Sequence, residues 1–301
     1  MSDYYTMIRP ADRKLWLFER RKRIMGSDAA PIAGIAKPEW GTAMTVFIEK
    51  SSKEEPDLSF PNDGAEWGTR KEPIVRTKFA EMHPDLHISI PGVTFYSKKW
   101  PFAGGNLDGL IHYDDGRDEI LEVKTAGERM AHEWGEADDD IPKPYICQAQ
   151  HYMAVTGFAV VRFAVLIGAS DYREYRIERN DGLIANLMDI EAEFWDHVLR
   201  KDPPDPVTDE DVRLRWPTNS DAEREATQAE CDMVFNLRQA QELAASATAQ
   251  EKYLKTQLKI GMGALSALTL DGSPIVTWRK GKDQAGYSVP PRPGSRKFLV
   301  K

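Results

Sequence analysis

The chain has 301 residues, of which 29% are charged and 41% are hydrophobic, and its net charge is −8. This composition fits a soluble globular protein made of one large domain, or of a domain with an appendage. No stretch approaches the ~18 apolar residues of a membrane span, and the first residues lack the basic-then-apolar order of a signal peptide. We therefore expect a cytoplasmic location.

The two cysteines, Cys147 and Cys231, lie far apart in the sequence. Such sparse cysteine usage indicates a reducing compartment. Two thiols are too few to ligate an Fe–S cluster or a structural zinc ion, so we expect no Fe–S cluster.

Charge is unevenly distributed along the chain. Basic residues outnumber acidic ones in residues 9–23 and in residues 279–301, whereas acidic residues concentrate elsewhere, as in Asp138–Asp140. A negative body with basic ends can still guide DNA into a groove. Each basic stretch is explained equally well as solvated charge, on a helix face in one case and on a loose tail in the other.

The first predicted helix spans Arg13–Arg23 and is amphipathic. A second short helix follows, for which Ser27 or Asp28 would be the N-cap. Free N–H groups, a serine hydroxyl and nearby arginines make this helix start a candidate phosphate seat. A plain N-cap explains the stretch better when it is taken alone.

Two further helices are predicted before the first strands, over residues 41–50 and around residues 66–79. Pro73 belongs in a first helical turn, or it kinks the helix. That placement puts Glu72 near the start of the second of these helices. Taken alone, Glu72 is a solvated acid at a helix start.

A β-hairpin is predicted from two apolar runs, residues 104–113 and 118–124, which are joined by a Gly-containing turn. Alternate side chains of a strand share a face, so Glu122 and Lys124 stand side by side. The hairpin can bring Asp108 next to them. Two carboxylates and an ammonium are costly to gather at one point unless a cation is held there.

This cluster suits metal-dependent phosphodiester cleavage. Asp108 and Glu122 would hold Mg²⁺ through oxygen ligands, and the backbone carbonyl of Val123 would add a third. Lys124 would orient or deprotonate the attacking water and offset charge in the transition state. The alternative is an exposed hairpin edge with a surface ion pair, because a D-x(n)-E-x-K pattern alone is weak.

The elements that follow predict a mixed α/β domain of about two hundred residues. A helix over residues 144–156 places Gln148 and Tyr152 on one face. The apolar run 158–167 is typical of a strand buried on both faces. An outer strand and an amphipathic helix are then predicted over residues 173–179 and 181–199.

A proline-rich segment, residues 201–206, marks a stiff boundary between a domain over residues 1–204 and a C-terminal extension over residues 207–301. The extension begins with a strongly helical segment over residues 221–261. We predict a break near residues 245–249 that would give two antiparallel helices; one long helix is the alternative. A second hairpin and a basic tail follow.

Five short segments carry a resemblance to a known family. They are Trp16–Arg20 with Ile24–Asp28, Trp67–Glu72, Asn106–Gly109, Leu121–Lys124 and Pro144–Tyr152. In this order they resemble the YqaJ-like viral recombinase nucleases, relatives of the phage lambda exonuclease within the PD-(D/E)xK superfamily. Each motif is short, but together they are specific.

The resemblance implies a fold and a set of catalytic residues. The fold is a PD-(D/E)xK restriction-endonuclease-like core, a mixed central sheet flanked by helices, with a mainly helical C-terminal extension that ends in a β-hairpin. Asp108 and Glu122 match the metal ligands of the family, and Lys124 matches its catalytic lysine. Glu72 matches an acid that helps to position a second metal ion or the water, and Gln148 matches a glutamine near the scissile phosphate.

The resemblance also implies a site for the end of a DNA strand. Arg20 and Ser27 match residues that hold the 5′-terminal phosphate in the lambda-type enzyme. Asn106 stands where that enzyme has a serine, and asparagine can still donate a hydrogen bond to a phosphate. Leu107 precedes Asp108, so the metal motif departs from a literal Pro-Asp.

The function implied is 5′→3′ degradation of one strand of linear double-stranded DNA to mononucleotides, with two Mg²⁺ ions, or Mn²⁺ in their place, at the reacting phosphate. The remaining 3′ strand would serve annealing recombination. The implied partners are DNA ends, a phage or prophage single-strand annealing protein, and further copies of the chain in a trimeric ring. The gene would belong to a phage or prophage in a bacterial host.

Other readings of the motifs remain open. A RecB-type or Cas4-like nuclease would have a different polarity, although Cas4-like proteins hold an Fe–S cluster with four cysteines. A restriction endonuclease would not need Arg20 and Ser27 as an end-phosphate seat. In a non-catalytic protein that binds DNA ends, Glu122 and Lys124 would be only an ion pair.

Overall fold

A mixed α/β arrangement builds Met1–Trp216, the first of the two units into which the chain divides, and Pro217–Lys301 is the second. The computed structural model describes residues 2–60, 62–220 and 222–279. The helices of the first unit are α1 (Arg13–Arg21), α2 (Gly26–Ile32), α3 (Ala43–Ser51), α4 (Asp63–Met82), α5 (Lys143–Thr156), α6 (Asp181–Arg200) and α7 (Asp209–Arg215). Its strands are β1 (Tyr5–Ile8), β2 (His87–Ser89), β3 (Thr94–Ser97), β4 (Gly104–Asn106), β5 (Gly109–His112), β6 (Asp118–Ala126), β7 (Val160–Ile167) and β8 (Asp171–Glu178).

The larger sheet has the strand order β2-β5-β6-β7-β8. Strands β6 and β7 run parallel, whereas the other neighbours in this sheet are antiparallel. The chain passes from β6 to β7 through α5, because parallel neighbours need a long crossover. The predicted mixed central sheet flanked by helices is confirmed.

The two faces of β6 belong to different apolar clusters. Ile120 packs in the cluster that includes α5 and α6, whereas Leu121 packs with Phe79 of α4 on the other face. Side chains alternate along a strand, so Glu122 and Lys124 share the face of Ile120 and point toward α5. The fold therefore places the two polar side chains beneath the helix that carries Gln148.

A smaller antiparallel sheet, with the order β1-β3-β4, leads the chain into the hairpin. Strand β4 ends two residues before Asp108. Its first residue, Gly104, contacts a buried histidine of α5. Nε2 of His151 lies 2.8 Å from the carbonyl oxygen of Gly104, and Nδ1 lies 2.8 Å from Oε1 of Glu191 on α6. This buried pair ties two helices to the strand that precedes Asp108.

The start of the second helix differs from the prediction. Helix α2 begins at Gly26 after Met25, so neither Ser27 nor Asp28 is the N-cap. Asp28 lies in the first turn instead, and its Oδ2 accepts a hydrogen bond of 2.8 Å from the backbone N–H of Met25. Helix α1 also ends before Arg23, because the chain leaves it to pair Ile24 with the start of β4.

Of the two alternatives predicted for Pro73, a place in the first helical turn was wrong. Asn62 is the N-cap of α4 and accepts from the backbone N–H of Ala65 at 2.9 Å, so the helix begins well before residue 66. Pro73 therefore falls inside the helix, and Glu72 lies in its middle rather than near its start. Because residues 51–63 were predicted to be a loop, Asn62 was not recognised as the N-cap of this helix.

The second unit contains one long helix, α8 (Gln228–Met262), and a hairpin of β9 (Ala267–Leu270) and β10 (Ser273–Thr277). The predicted break near residues 245–249 was wrong, because this stretch has good helix formers and neither Gly nor Pro. The hairpin was predicted correctly, and positive φ angles at Asp271 and Gly272 suit its two-residue turn. Most of the predicted basic tail, from residue 280 onward, lies outside the described residues.

Helix α7 packs within the first unit, since Thr42 Oγ1 donates to Oδ1 of Asp211 at 2.6 Å. The domain boundary at residues 204–207 stays a prediction. Within residues 2–60, 62–220 and 222–279, no helix combines the length and the apolar character that a bilayer crossing needs.

Candidate active site

The β5–β6 hairpin sets Asp108 opposite Glu122. Gly109 pairs with Leu121 across the hairpin, and the register continued by one residue brings the two acids together. Oδ2 of Asp108 accepts a hydrogen bond of 2.9 Å from the backbone N–H of Val123. This bond closes the hairpin around the acids and fixes the carboxylate of Asp108 against β6.

Glu122 is the centre of the cluster, and its side chain is only 3% exposed. Oε1 accepts hydrogen bonds from Nζ of Lys124 at 2.7 Å and from Nε2 of Gln148 at 2.6 Å. Oε2 is buried and has no hydrogen-bond partner among the described residues. A buried carboxylate oxygen without a partner is costly, so this atom is suited to receive a ligand.

The charges of the cluster oppose one another. Burial raises the pKa of Asp108 well above its usual range, and the charge of Glu122 raises it further. Burial also raises the pKa of Glu122, although Lys124 counteracts part of this effect. Burial alone would lower the pKa of Lys124, but the charges of Glu122 and Asp108 outweigh it and raise that pKa. When both acids are ionised, the site therefore carries more negative charge than Lys124 offsets.

Helix α4 adds a third acid at the edge of the cluster. Oε1 of Glu72 lies 2.9 Å from Nη1 of Arg76, one turn along the helix. The same guanidinium nitrogen donates to the backbone carbonyl of Asp108. The charge of Glu72 raises the pKa of both Asp108 and Glu122, so this residue belongs to the electrostatic environment of the site.

Helix α5 covers the cluster from the opposite side. Nε2 of Gln148 also donates to the hydroxyl of Tyr152 at 2.9 Å, which links one turn of the helix to Glu122. Nζ of Lys124 lies 5.0 Å from the ring centroid of Tyr145, within the range of a cation–π contact. The helix thus holds both the carboxylate and the ammonium in place.

Arg20 and Ser27 form a second polar group. Nη2 of Arg20 donates to Oγ of Ser27 at 3.0 Å. The guanidinium carbon of Arg20 also lies 4.9 Å from the ring centroid of Trp16, one helical turn earlier. The stacked ring leaves the fork of the guanidinium directed at the start of α2.

Asn106 is the last residue of β4, two positions before Asp108. Its Nδ2 donates to Oγ1 of Thr94 at 2.9 Å and to the carbonyl of Val93 at 3.3 Å, while its Oδ1 is buried without a partner among the described residues. Both amide protons are engaged, so a contact with phosphate requires one of these bonds to be exchanged.

One cavity of about 740 Å³ joins these groups. Every predicted site residue lines it, namely Arg20, Ser27, Glu72, Asn106, Asp108, Glu122, Val123, Lys124 and Gln148. The acids and Lys124 form one polar group of its wall, and Arg20 with Ser27 forms another. Its volume lies within the range that is typical of clefts that bind small ligands.

Residues 15–159 match the model of the YqaJ-like viral recombinase domain. Residues 15–159 are therefore similar to this domain and are called the YqaJ-like domain. The chain is also 35% identical over 195 residues to the uncharacterized protein YqaJ of Bacillus subtilis (strain 168), an alignment that covers 64% of this chain and 58% of that protein. The chain therefore spans 58% of the length of this curated relative.

Solved structures also resemble the chain that carries the YqaJ-like domain. The alkaline exonuclease LHK-Exo from Laribacter hongkongensis is 19% identical, with a TM-score of 0.48 over 62% of this chain and 93% of the other. A phage related exonuclease from Haemophilus somnus 129PT is 14% identical, with a TM-score of 0.44 over 60% and 96%. Both TM-scores are below 0.5, so neither similarity supports the fold assignment. The fold is established by the strands and helices described above.

The donor set of the YqaJ-like domain fits a divalent cation. Among the described residues, no group of three or more His, Cys, Asp or Glu side chains gathers closely enough to hold a metal ion by itself. Asp108 and Glu122 nevertheless provide two hard oxygen donors, and Oε2 of Glu122 is buried with no partner in the part of the chain that the structure describes. Together with backbone or water oxygens, such donors suit Mg²⁺, which keeps several waters.

Sequence reasoning missed several residues that shape the cavity. Tyr152 was placed on the correct face of α5, but its bond to Gln148 was not foreseen, although the i, i+4 spacing is a usable signal. Arg76 has the same spacing from Glu72. Lys50 and Asp28 form a buried pair behind the cavity, and no local pattern connects them.

Replacing Gly26 by alanine is expected to disturb the YqaJ-like domain beneath the cavity. An added Cβ would lie 2.4 Å from Cε1 of Tyr152, so the ring must move and take its hydroxyl away from Gln148. We expect the free energy of unfolding to fall by about 1–3 kcal/mol, as in other overpacked cores. Urea denaturation measures this change.

Gly127 provides the matched control. Its φ is −69° and an added Cβ would have no neighbour within 4 Å. Gly127→Ala should therefore change the free energy of unfolding by less than about 0.5 kcal/mol. If Gly26→Ala were as stable as Gly127→Ala, the close contact between α2 and α5 would be disproved.

Proposed function

We propose that this chain is a metal-dependent exodeoxyribonuclease that degrades linear double-stranded DNA in the 5′→3′ direction. One observation carries the proposal. The half-buried Asp108 and the buried Glu122, to which Lys124 and Gln148 are bonded, line the same cavity as Arg20 and Ser27. The first group suits phosphodiester hydrolysis, and the second suits a terminal phosphate.

Binding of the DNA end is assigned to Arg20 and Ser27. Arginine presents planar donors that match phosphate oxygens, and the hydroxyl of Ser27 adds a further donor beside the start of α2. Asn106 lines the same cavity and would contact the same phosphate. A strand seated by its 5′ phosphate would extend along the cavity wall toward Glu122.

The residues around Glu122 would carry the hydrolysis. A divalent ion bound by Asp108 and Glu122 would polarise the scissile phosphate and lower the pKa of the attacking water. Lys124, held by Glu122 at 2.7 Å, would orient that water and offset negative charge in the transition state. Gln148 keeps Glu122 directed into the cavity, and Glu72 would support a second ion or the water.

The family match supports a role in recombination. A viral recombinase domain that removes one strand of a duplex leaves a 3′ single strand, which is the substrate for strand annealing. We propose a phage-type single-strand annealing protein as the partner. We also propose Mg²⁺ as the metal, with Mn²⁺ as a substitute, and a ring of identical subunits around the DNA, to which residues 207–301 add a clamp, a cap or a docking element.

A digestion assay tests the proposed function. Linear duplexes with a 5′ phosphate or a 5′ hydroxyl, each labelled within either the 5′-terminal or the 3′-terminal nucleotide, are incubated with Mg²⁺ or with EDTA. We expect rapid loss of the phosphorylated duplex with Mg²⁺, early release of the 5′ label, and no digestion with EDTA. Arg20→Ala should reduce the preference for the phosphorylated end by about tenfold or more, since a hydrogen bond to a charged group is lost.

Closed circular duplex serves as the control substrate. Cleavage of closed circles would reject the exonuclease proposal in favour of an endonuclease. Early release of the 3′ label would give the opposite polarity, as expected for a RecB-type or Cas4-like enzyme. Binding of DNA ends without any digestion would identify a non-catalytic end-binding protein.

A further inference from the structure

Lys50 lies on α3, behind the cavity, and its side chain is fully buried. Its Nζ is 2.6 Å from Oδ2 of Asp28, donates to the backbone carbonyl of Arg20 at 3.1 Å, and reaches Oε1 of Glu49 at 3.4 Å. An ammonium has three protons to donate, and each has an acceptor here. The Lys50 side chain is enclosed, so it does not line the cavity and cannot touch a ligand there.

The two strongest of these contacts reach the two halves of the phosphate seat. Arg20 lies near the end of α1, where backbone carbonyls lack partners within the helix, and Lys50 caps one of them. Asp28 follows Ser27 in the first turn of α2 and accepts from the N–H of Met25 at 2.8 Å. A single buried cation therefore joins the end of one helix to the start of the next.

The contact between the side chains of Arg20 and Ser27 depends on the buried pair of Lys50 and Asp28. The bond from Arg20 to Ser27 is 3.0 Å long, and it requires the backbones of residues 20 and 27 to keep a fixed separation. The buried pair of Asp28 and Lys50 sets that separation, because Lys50 contacts both Asp28 and the backbone carbonyl of Arg20. Removing one partner of such a pair leaves an uncompensated buried charge. The end of α1 and the start of α2 would then move relative to each other.

We propose that Lys50 and Asp28 are positioning residues that set the preference of the enzyme for a 5′-phosphorylated end. This inference rests on the proposed function of Arg20 and Ser27 as the seat of the terminal phosphate. Lys50 acts through Arg20, and Asp28 acts through the turn that carries Ser27. A misplacement of about 1 Å is enough to cost a large factor in rate at a pre-organised site.

The test compares kcat and KM for duplexes with a 5′ phosphate and with a 5′ hydroxyl. In Lys50→Met, which keeps the volume of the side chain and removes its charge, the ratio of the two kcat/KM values should fall at least about tenfold. The loss should appear as a higher KM for the phosphorylated duplex. The kcat/KM for the hydroxyl duplex should stay within about threefold of the wild-type value.

A double variant guards against misfolding. Asp28→Asn combined with Lys50→Met removes both buried charges together and leaves an amide oxygen that can still accept from Met25. It should fold with the wild-type circular dichroism spectrum and lose the phosphate preference as well. Asp211→Asn is the structural control, because Asp211 is a buried acid that accepts a hydrogen bond from Thr42, the N-cap of the same helix α3. The preference of this variant should equal that of the wild type.

The outcomes separate the two proposals. A wild-type protein without any preference for the 5′ phosphate would reject the seat itself, and the positioning role with it. A wild-type preference that Lys50→Met and the double variant retain in full would overturn only the positioning role. Equal losses on both substrates would show that the pair is merely structural, which also overturns it.

Discussion

Lys124→Ala is expected to abolish measurable digestion of linear duplex DNA. Nζ of Lys124 lies 2.7 Å from Oε1 of Glu122, inside the cavity and beside the second acid, Asp108. Loss of a positioned group that stabilises the transition state, or that acts on the nucleophile, costs about 10²–10⁴-fold in rate. Single-turnover digestion with excess enzyme and Mg²⁺ measures the chemical step directly.

Lys78→Ala is the matched control, because Lys78 is a half-exposed lysine on α4 whose one ion pair within the described part of the chain is with Glu81. It should digest DNA at the wild-type rate. The folding of both variants is compared by circular dichroism and thermal unfolding. Undiminished digestion by Lys124→Ala would reject the chemistry assigned to the hairpin.

Asp108→Asn is expected to lose activity and yet to gain stability when no metal is present. Asp108 lies half-buried beside Glu122, and desolvation and the charge of Glu122 raise its pKa well above the usual range. The amide removes the repulsion and can still accept from the backbone N–H of Val123. We expect the free energy of unfolding to rise by about 1 kcal/mol or more, while digestion falls below detection.

The sign of the pH dependence follows from the raised pKa of Asp108. A carboxyl whose pKa is higher in the folded state binds protons more tightly there, so its ionisation opposes folding. The wild-type protein without metal therefore loses stability as pH rises from the unfolded pKa toward the folded pKa of Asp108. The advantage of Asp108→Asn should grow from acid to alkaline pH, which urea denaturation at several pH values measures.

Added Mg²⁺ should reverse this ranking. A ligand that binds only the folded state raises the melting temperature, so the wild-type protein should gain thermal stability with Mg²⁺ and the variant should not. Asp115→Asn, at an exposed carboxylate in the turn of the same hairpin, should respond to Mg²⁺ like the wild type. A variant that is less stable than the wild type at every pH would contradict the proposed repulsion.

Much of the cluster followed from local spacing. The period of two along a strand placed Glu122 and Lys124 on one face of β6, and the turn at Gly116 set the register that brings Asp108 opposite. Strand β7 was also predictable, because its residues form a continuous apolar run. Such features depend on neighbours within a few residues, so the sequence alone contains the information.

Other features depend on contacts between distant segments. Lys50 meets Asp28 and the carbonyl of Arg20 only because α3 packs against α1 and α2. The interior position of Pro73 followed from a cap at Asn62 in a stretch that read as a loop. Whether Oε2 of Glu122 has a partner among the described residues depends on how completely α5 covers β6. None of these has a local signature, so the structure was needed to reveal them.

The central claim is that Asp108 and Glu122 share a divalent cation, and anomalous scattering from crystals soaked with Mn²⁺ tests it most directly. The account predicts a strong anomalous peak in contact with both carboxylates in the wild-type protein, and its loss in Asp108→Asn. Soaked wild-type crystals without a peak between these acids, or with Glu122 bonded only to Lys124 and Gln148 at saturating Mn²⁺, would contradict it.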